Sequence, residues 1–263
     1  MTRDAKFERR RRRGPQMEMK FRKVDKNGQF RVGPHPGAGR PRKNPALALR
    51  PRGKGYVLHT PRAEVNPREP QHVTLTVLDY ISHLRSLDLY AAVKRALVVA
   101  GKWDDFGIVH FSVQGNHIHL LVEAENKKAL ARGMKSFETS LGKHINAIMT
   151  RKRRQKRKGQ VFADRYHVRA IKSVRGTRNA LCYILNNWRH HPNSARGPRL
   201  IDGKLDPYSS AILFAGWKEK TVPEIHIPED YEAPFVRAPT TWLLKSGWKL
   251  AKPISCFEVP GRA

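Results

Sequence analysis

The sequence predicts an α+β fold, one antiparallel sheet with helices packed on it, from three observations. Apolar periodicity is strong over residues 71–192 and weak on either side. Two β-rich runs there, residues 108–113 and 117–123, are separated only by Gln114-Gly115-Asn116, the turn chemistry of a hairpin. The elements read in the order βαββαβα with short connections, which favours helices layered on an antiparallel sheet.

Taken in order, residues 72–78 (HVTLTVL) read as a first strand. Residues 87–100 follow as a helix, because Leu89, Val93, Ala96, Leu97 and Ala100 recur at helical spacing, and Gly101 supplies a C-cap. The hairpin comes next and pairs its two strands antiparallel. Residues 127–149 carry a long helical pattern, with Gly133 and Gly142 as possible break points, and run into the basic stretch 151–158. Residues 161–171 read as a further strand. Residues 177–190 close the domain as a helix whose apolar stripe is Leu181, Ile184, Leu185 and Trp188.

The flanks differ in composition. Residues 1–70 hold 20 Lys and Arg against 6 acids and half of the 18 prolines, so they cannot bury a core and read as a disordered basic Arg/Pro/Gly-rich arm. Residues 193–263 are nearly neutral, and their short apolar pieces, 211–217 and 242–250, predict an extension that docks on the domain rather than folding alone. The whole chain has 263 residues and a net charge of +30, and that field calls for a polyanion; phosphate backbones are the usual one. A ribosome-associated or merely adhesive basic protein fits the same charge. The two cysteines, Cys182 and Cys256, form neither a disulfide framework nor a CxxC pair, which points to a reduced, cytoplasmic setting. No apolar run reaches the length of a membrane span, and the Arg-rich N-terminus lacks the apolar stretch of a secretory signal.

Chemistry enters with His117-Ile118-His119. Side chains alternate across a strand, so the two imidazoles leave the same face and converge on one point, where each neutral ring offers a lone pair to a divalent cation. A bare His-x-His is common by chance and needs a partner. That partner is the helix of residues 179–188, in which Tyr183 and Asn187 lie opposite the apolar stripe, one turn apart. A tyrosine oxygen attacking a phosphodiester forms a covalent phosphotyrosine that stores the bond for a later joining step. A metal on the two histidines would polarise the phosphate, and Asn187 offers an amide carbonyl as a third, oxygen ligand.

Three segments in this order, 111–119 (FSVQGNHIH), 162–167 (FADRYH) and 180–187 (ALCYILNN), resemble the REP-associated tyrosine transposases, a branch of the single-tyrosine HUH, IS200-like transposases. The resemblance covers about residues 71–191. It places the family's histidine pair on His117 and His119, its nucleophile on Tyr183 and its third metal position on Asn187. It implies a ferredoxin-like core, Mg²⁺ or Mn²⁺, and cleavage and rejoining of single-stranded DNA with hairpin or palindromic ends through a 5′-phosphotyrosine, by a monomer or a homodimer. Many relatives have proline where this chain has Trp188.

Other residues compete for these roles or assist them. Tyr166 is a rival nucleophile. Glu123 shares the strand face of His119 and is a candidate for the metal's surroundings, with a solvated strand end as the simpler expectation. His190 and His191 end the tyrosine helix, where cations suit the dipole. Seven basic residues, Arg151, Lys152, Arg153, Arg154, Lys156, Arg157 and Lys158, together with Arg165, are expected to grip DNA. Trp242 and Trp248 are expected in core packing, with stacking on unpaired bases as the alternative. A domesticated non-catalytic nucleic-acid-binding protein and a water-activating, metal-dependent hydrolase remain as other functional classes.

Overall fold

The expected strand of residues 72–78 forms as β1 (Gln71–Thr76) in the computed structural model, which describes residues 62–81, 83–190, 205–219 and 232–261. The helix α1 (Leu87–Ala100) has the predicted bounds, and the backbone N–H of Gly101 closes it onto the carbonyl of Leu97. The hairpin forms as β2 (Phe106–Val113) and β3 (His117–Ala124), with the N–H of Gln114 bonded to the carbonyl of His117 across the turn. Helix α2 (Lys127–Arg153) is one continuous rod, started by the Asn126 side chain, which accepts from the backbone N–H of Lys128 and Ala129. Neither glycine breaks it. Gly133 is buried against the ring of Phe106, so its missing side chain serves the close approach of α2 to β2.

Two elements depart from expectation. Only β4 (His167–Ala170) remains of the strand expected over 161–171, because the preceding residues leave the sheet after a single bridge, Phe162 to Val77. The tyrosine helix divides into α3 (Val174–Leu185) and α4 (Asn187–His190), broken at Asn186, whose side chain donates to the carbonyl of Ser255. Ser173 caps α3 through its hydroxyl, which accepts from the N–H of Gly176, so the helix begins three residues earlier than predicted.

The sheet order is β2-β3-β1-β4 with every pair antiparallel, the ferredoxin-like arrangement of a βαββαβ chain. One face, carrying Val73, Leu75, Phe111, Ile118, Leu120 and Val122, packs on α1 and α2. The other face carries Val109 and Leu121 and meets α3, where Leu181, Ile184 and Leu185 are buried as the stripe requires. Fully burying side chains of this size is worth about 1.5–3 kcal/mol each, so each stripe member contributes materially to holding α3 on the sheet. The second core is completed by the C-terminal residues Phe214, Trp217, Leu244, Trp248 and Ile254, including the helix α5 (Trp242–Lys245). Both cysteines are buried in this layer as free thiols, and burial pushes each up to about 11, out of reach of nucleophilic chemistry at neutral pH. No helix among the described residues is long and apolar enough to cross a membrane. The basic arm expected over residues 1–70 lies, up to residue 61, outside the described residues.

Candidate active site

Register decides which side chains meet. β1 and β3 pair so that Thr74 faces His119 and Thr76 faces His117, and the period of two then puts His72, Thr74, His117 and His119 on the α3 side of the sheet. Nδ1 of His119 lies 3.2 Å from both the Thr74 hydroxyl and Nε2 of His72, and Nδ1 of His117 lies 2.9 Å from the Asn116 side-chain oxygen. With both Nδ1 atoms engaged in this way, the Nε2 side of each ring is the one presented for coordination. The two rings stand 4.9 Å apart, centre to centre, nearly perpendicular.

Helix α3 brings Tyr183 onto this pair. Its ring centre is 5.1 Å from that of His119, edge to face, and 5.8 Å from that of His72. Tyr183 is half-buried, so its ring packs while its edge reaches the cleft. That cleft, about 540 Å³, has Tyr183, His72, Arg169, Lys172 and Ser173 among its lining residues. His72 was not foreseen as a site residue. Burial, reinforced by the neighbouring His167 and Arg169, lowers it to about 4, so at neutral pH it is an uncharged imidazole that orients His119.

Asn187, the expected third ligand, follows the break at Asn186. It is fully buried, and neither its amide oxygen nor its amide nitrogen has a hydrogen-bond partner among the described residues. A buried, unsatisfied carbonyl oxygen is what a hard cation would satisfy, and its retention otherwise costs about 1–3 kcal/mol. Among the described residues no group of three His, Cys, Asp or Glu side chains is placed to hold a metal; the donors expected from the sequence are two imidazoles and an amide. That mixed nitrogen and oxygen set fits a divalent cation with open positions for phosphate oxygens and water.

Register also separates the two tyrosines. Val168 pairs with Val73 in β4 and β1 and packs on the α1–α2 side. Tyr166, two residues earlier, has the same parity and is buried in that first core, under the guanidinium of Arg62 at 3.7 Å. It is therefore on the opposite side of the sheet from the histidine pair, and the rival nucleophile is withdrawn. Burial raises its phenol further. Arg165 precedes it, half-buried, with its charge bearing on Tyr166 and its N–H on the Asp164 carboxylate.

Glu123 belongs neither to the metal's surroundings nor to a solvated strand end. Only 7% exposed, its carboxylate accepts four hydrogen bonds of 2.6–2.8 Å, from the backbone N–H and hydroxyl of Thr240 and of Thr241. It thereby clamps the residues that start α5.

The basic run is half helix and half loop. Arg151, Lys152 and Arg153 form the last turn of α2, favourable to its dipole, and Arg154 closes it in the left-handed conformation. Lys152 pairs with Asp88 at 3.1 Å, and Arg157 is spent on structure, donating to the Tyr80 hydroxyl and the Gln160 carbonyl. Arg154, Lys156 and Lys158 remain exposed, and a shallow basin of about 600 Å³ is lined by Lys143, Arg151, Lys156 and Lys158. The loop returns to β1 where Leu78 bonds the carbonyl of Val161, just beyond Thr76, the partner of His117. The cations therefore lie at the histidine end of the sheet. The two tryptophans separate: Trp248 is core, and Trp242 is 58% exposed. The side chain of His190 and the whole of His191 lie outside what is described.

With this geometry in place, a family model described as "Transposase IS200 like" matches residues 75–187, which contain the histidine pair, Tyr183 and Asn187. Over these residues the chain is similar to the IS200-like transposases. Solved structures similar to this chain include a REP-associated tyrosine transposase bound to a REP hairpin, at 14% identity and TM-score 0.46, covering 70% of this chain and all of that one. A Deinococcus radiodurans protein named as a transposase aligns at 15% identity and TM-score 0.33, covering 47% and 87% of the two chains. A bacterial tRNA(His) guanylyltransferase-like protein in complex with ATP aligns at 14% identity and TM-score 0.35, covering 52% and 66%. No curated protein matches the chain.

Proposed function

We propose that this protein is a transposase that cleaves and rejoins single-stranded, hairpin-forming DNA, with Tyr183 as nucleophile. The observation that carries the reading is the placement of Tyr183 beside His119, 5.1 Å between ring centres, with His117 adjoining on the same strand face. The phenol oxygen of Tyr183 gives up its proton and attacks the scissile phosphorus. The bond from phosphorus to the 3′ oxygen breaks, the departing oxygen takes a proton, and the 5′ phosphate stays on the tyrosine. Attack by a 3′-hydroxyl of another strand reverses these events and releases Tyr183.

His117, His119 and Asn187 would hold Mg²⁺ or Mn²⁺, which neutralises charge on the phosphate oxygens and orients the bond for in-line displacement. His72 and Thr74 orient His119, and Arg169 and Lys172 attract the strand that lies in the cleft. The +30 charge supplies affinity without sequence choice. A cytoplasmic enzyme meeting transiently single-stranded DNA suits a chain with no spanning helix among its described residues. Tyr183 and the histidines meet within one chain, an arrangement that suits a monomer or a homodimer.

The test is a hairpin-flanked single strand labelled on the downstream side of the nick. Wild-type protein with Mg²⁺ or Mn²⁺ should give a denaturation-resistant labelled adduct, and Tyr183→Phe should give none while still binding DNA. His117→Ala and His119→Ala should lose cleavage with binding retained. Nicking without any adduct would make water the nucleophile and the protein a hydrolase, and binding without nicking would make it a domesticated DNA-binding protein.

A further inference from the structure

Trp242 takes no part in the proposed chemistry. It opens α5 and is 58% exposed, whereas its neighbours Leu243 and Leu244 are buried. Its indole is not loose. A Cβ on Gly247 would lie 2.8 Å from the indole, so the ring rests directly on that glycine's backbone, a contact only glycine permits. The turn that carries it is gripped by Glu123 through Thr240 and Thr241. An exposed tryptophan held this firmly has already given up the rotamer freedom that a ligand would otherwise have to freeze.

Its surroundings are charged for a nucleic acid. Trp242 lines a cleft of about 540 Å³ with Arg68, Glu69, Lys172, Thr240 and Leu243. The Glu69 carboxylate is turned to the Asn66 amide, at 3.2 Å, leaving two cations and one engaged acid. Lys172 is also a wall of the cleft that contains Tyr183 and His72, so the two depressions adjoin across this one lysine. A strand leaving the nucleophile thus has a phosphate-binding bridge and then a flat aromatic surface.

We propose that Trp242 is a stacking platform for an unpaired base of the single strand that flanks the scissile phosphate, with Lys172 and Arg68 bound to the adjoining phosphates. This rests on the proposed function in taking single-stranded DNA as the substrate. Stacking on tryptophan is tolerant of base identity, so the platform registers that a base is unpaired and not which base it is.

The probe is oligo(dT) of about 16 nucleotides, a common span for one single-strand site, bound to the full-length Tyr183→Phe protein. Removing the platform with Trp242→Ala should weaken binding about 5- to 150-fold. Trp242→Phe, which keeps a smaller ring, should recover most of that loss. Neither change should alter the salt slope, because no phosphate contact is removed. Iododeoxyuridine in the oligonucleotide should photocrosslink to Trp242, and affinity for a blunt duplex should not depend on this side chain. Equal oligo(dT) binding by Trp242→Ala and its parent, or equal losses in the alanine and phenylalanine variants, would overturn the platform. If that happens while wild-type protein still forms its covalent adduct, only the platform is wrong. Failure of the wild type to bind oligo(dT) removes both, whereas a missing adduct with oligo(dT) binding still weakened by Trp242→Ala removes Tyr183 as nucleophile and leaves the platform standing.

Discussion

Replacing Glu123 by glutamine should undock the C-terminal extension, at a cost that can be worked from four hydrogen bonds. One carboxylate oxygen accepts from the N–H and hydroxyl of Thr241, the other from the same groups of Thr240. Glutamine matches the shape but presents an NH₂ group to one of these pairs. A threonine hydroxyl can rotate and accept from it. A backbone N–H cannot, and is left facing another donor at a site where Glu123 and Thr241 are each only 7% exposed. Losing one charge-assisted bond, worth about 1.5–3 kcal/mol, and stranding one buried N–H, at about 1–3 kcal/mol, predicts a total loss of about 2.5–6 kcal/mol. For a domain of this size that is a fall in Tm of roughly 5–24 °C. Thermal and urea unfolding measure it, and amide exchange at Thr240 and Thr241 should accelerate well before the sheet opens. If Glu123→Gln unfolds within about 0.5 kcal/mol of wild type, the carboxylate is not holding α5 and the clamp is refuted.

Neutralising Arg151, Arg154, Lys156 and Lys158 together should weaken DNA binding and flatten log affinity against log salt by up to about three units, given roughly 0.7 per phosphate on a single strand; an unchanged slope means these cations touch no phosphate. Arg157 is spared because its loss would open the loop against Tyr80. Glu138, on α2, is raised by burial to about 7, with Arg62 opposing the shift. A carboxyl raised in the folded state holds its proton there after the unfolded chain has released it, so its contribution is complete below about 4.5 and is lost as pH rises through 7. Glu138→Gln should therefore match wild type in Tm near pH 4.5 and exceed it above pH 7, and parallel curves across that range would contradict the assignment.

Local pattern was enough for much of this protein. The helix of residues 87–100, the hairpin at Gln114-Gly115-Asn116 and the buried stripe Leu181, Ile184, Leu185 and Trp188 all follow from periodicity and turn chemistry, which are properties of neighbouring residues. The pairing of His117 with His119 on one face needed only the period of a strand. The order of elements, βαββαβ, then left few topologies open, and the ferredoxin-like sheet is among the commonest of them.

Tertiary structure decided whatever depended on register or on a distant partner. Tyr183 and Tyr166 are comparable in sequence, and it is the pairing of β4 with β1 that turns Tyr166 into the other core. His72 becomes a site residue only because Thr74 is aligned with His119, an alignment no local pattern encodes. Glu123 has the parity of a metal ligand, yet its partners lie 117 and 118 residues away, at Thr240 and Thr241. The same distance explains the break at Asn186, whose amide is claimed by Ser255, and the opposite fates of Trp242 and Trp248. A sequence states what each side chain can do within a turn or a strand; which chemistry it performs is settled by the groups that long-range packing sets against it, because hydrogen bonds and desolvation act over only a few ångströms.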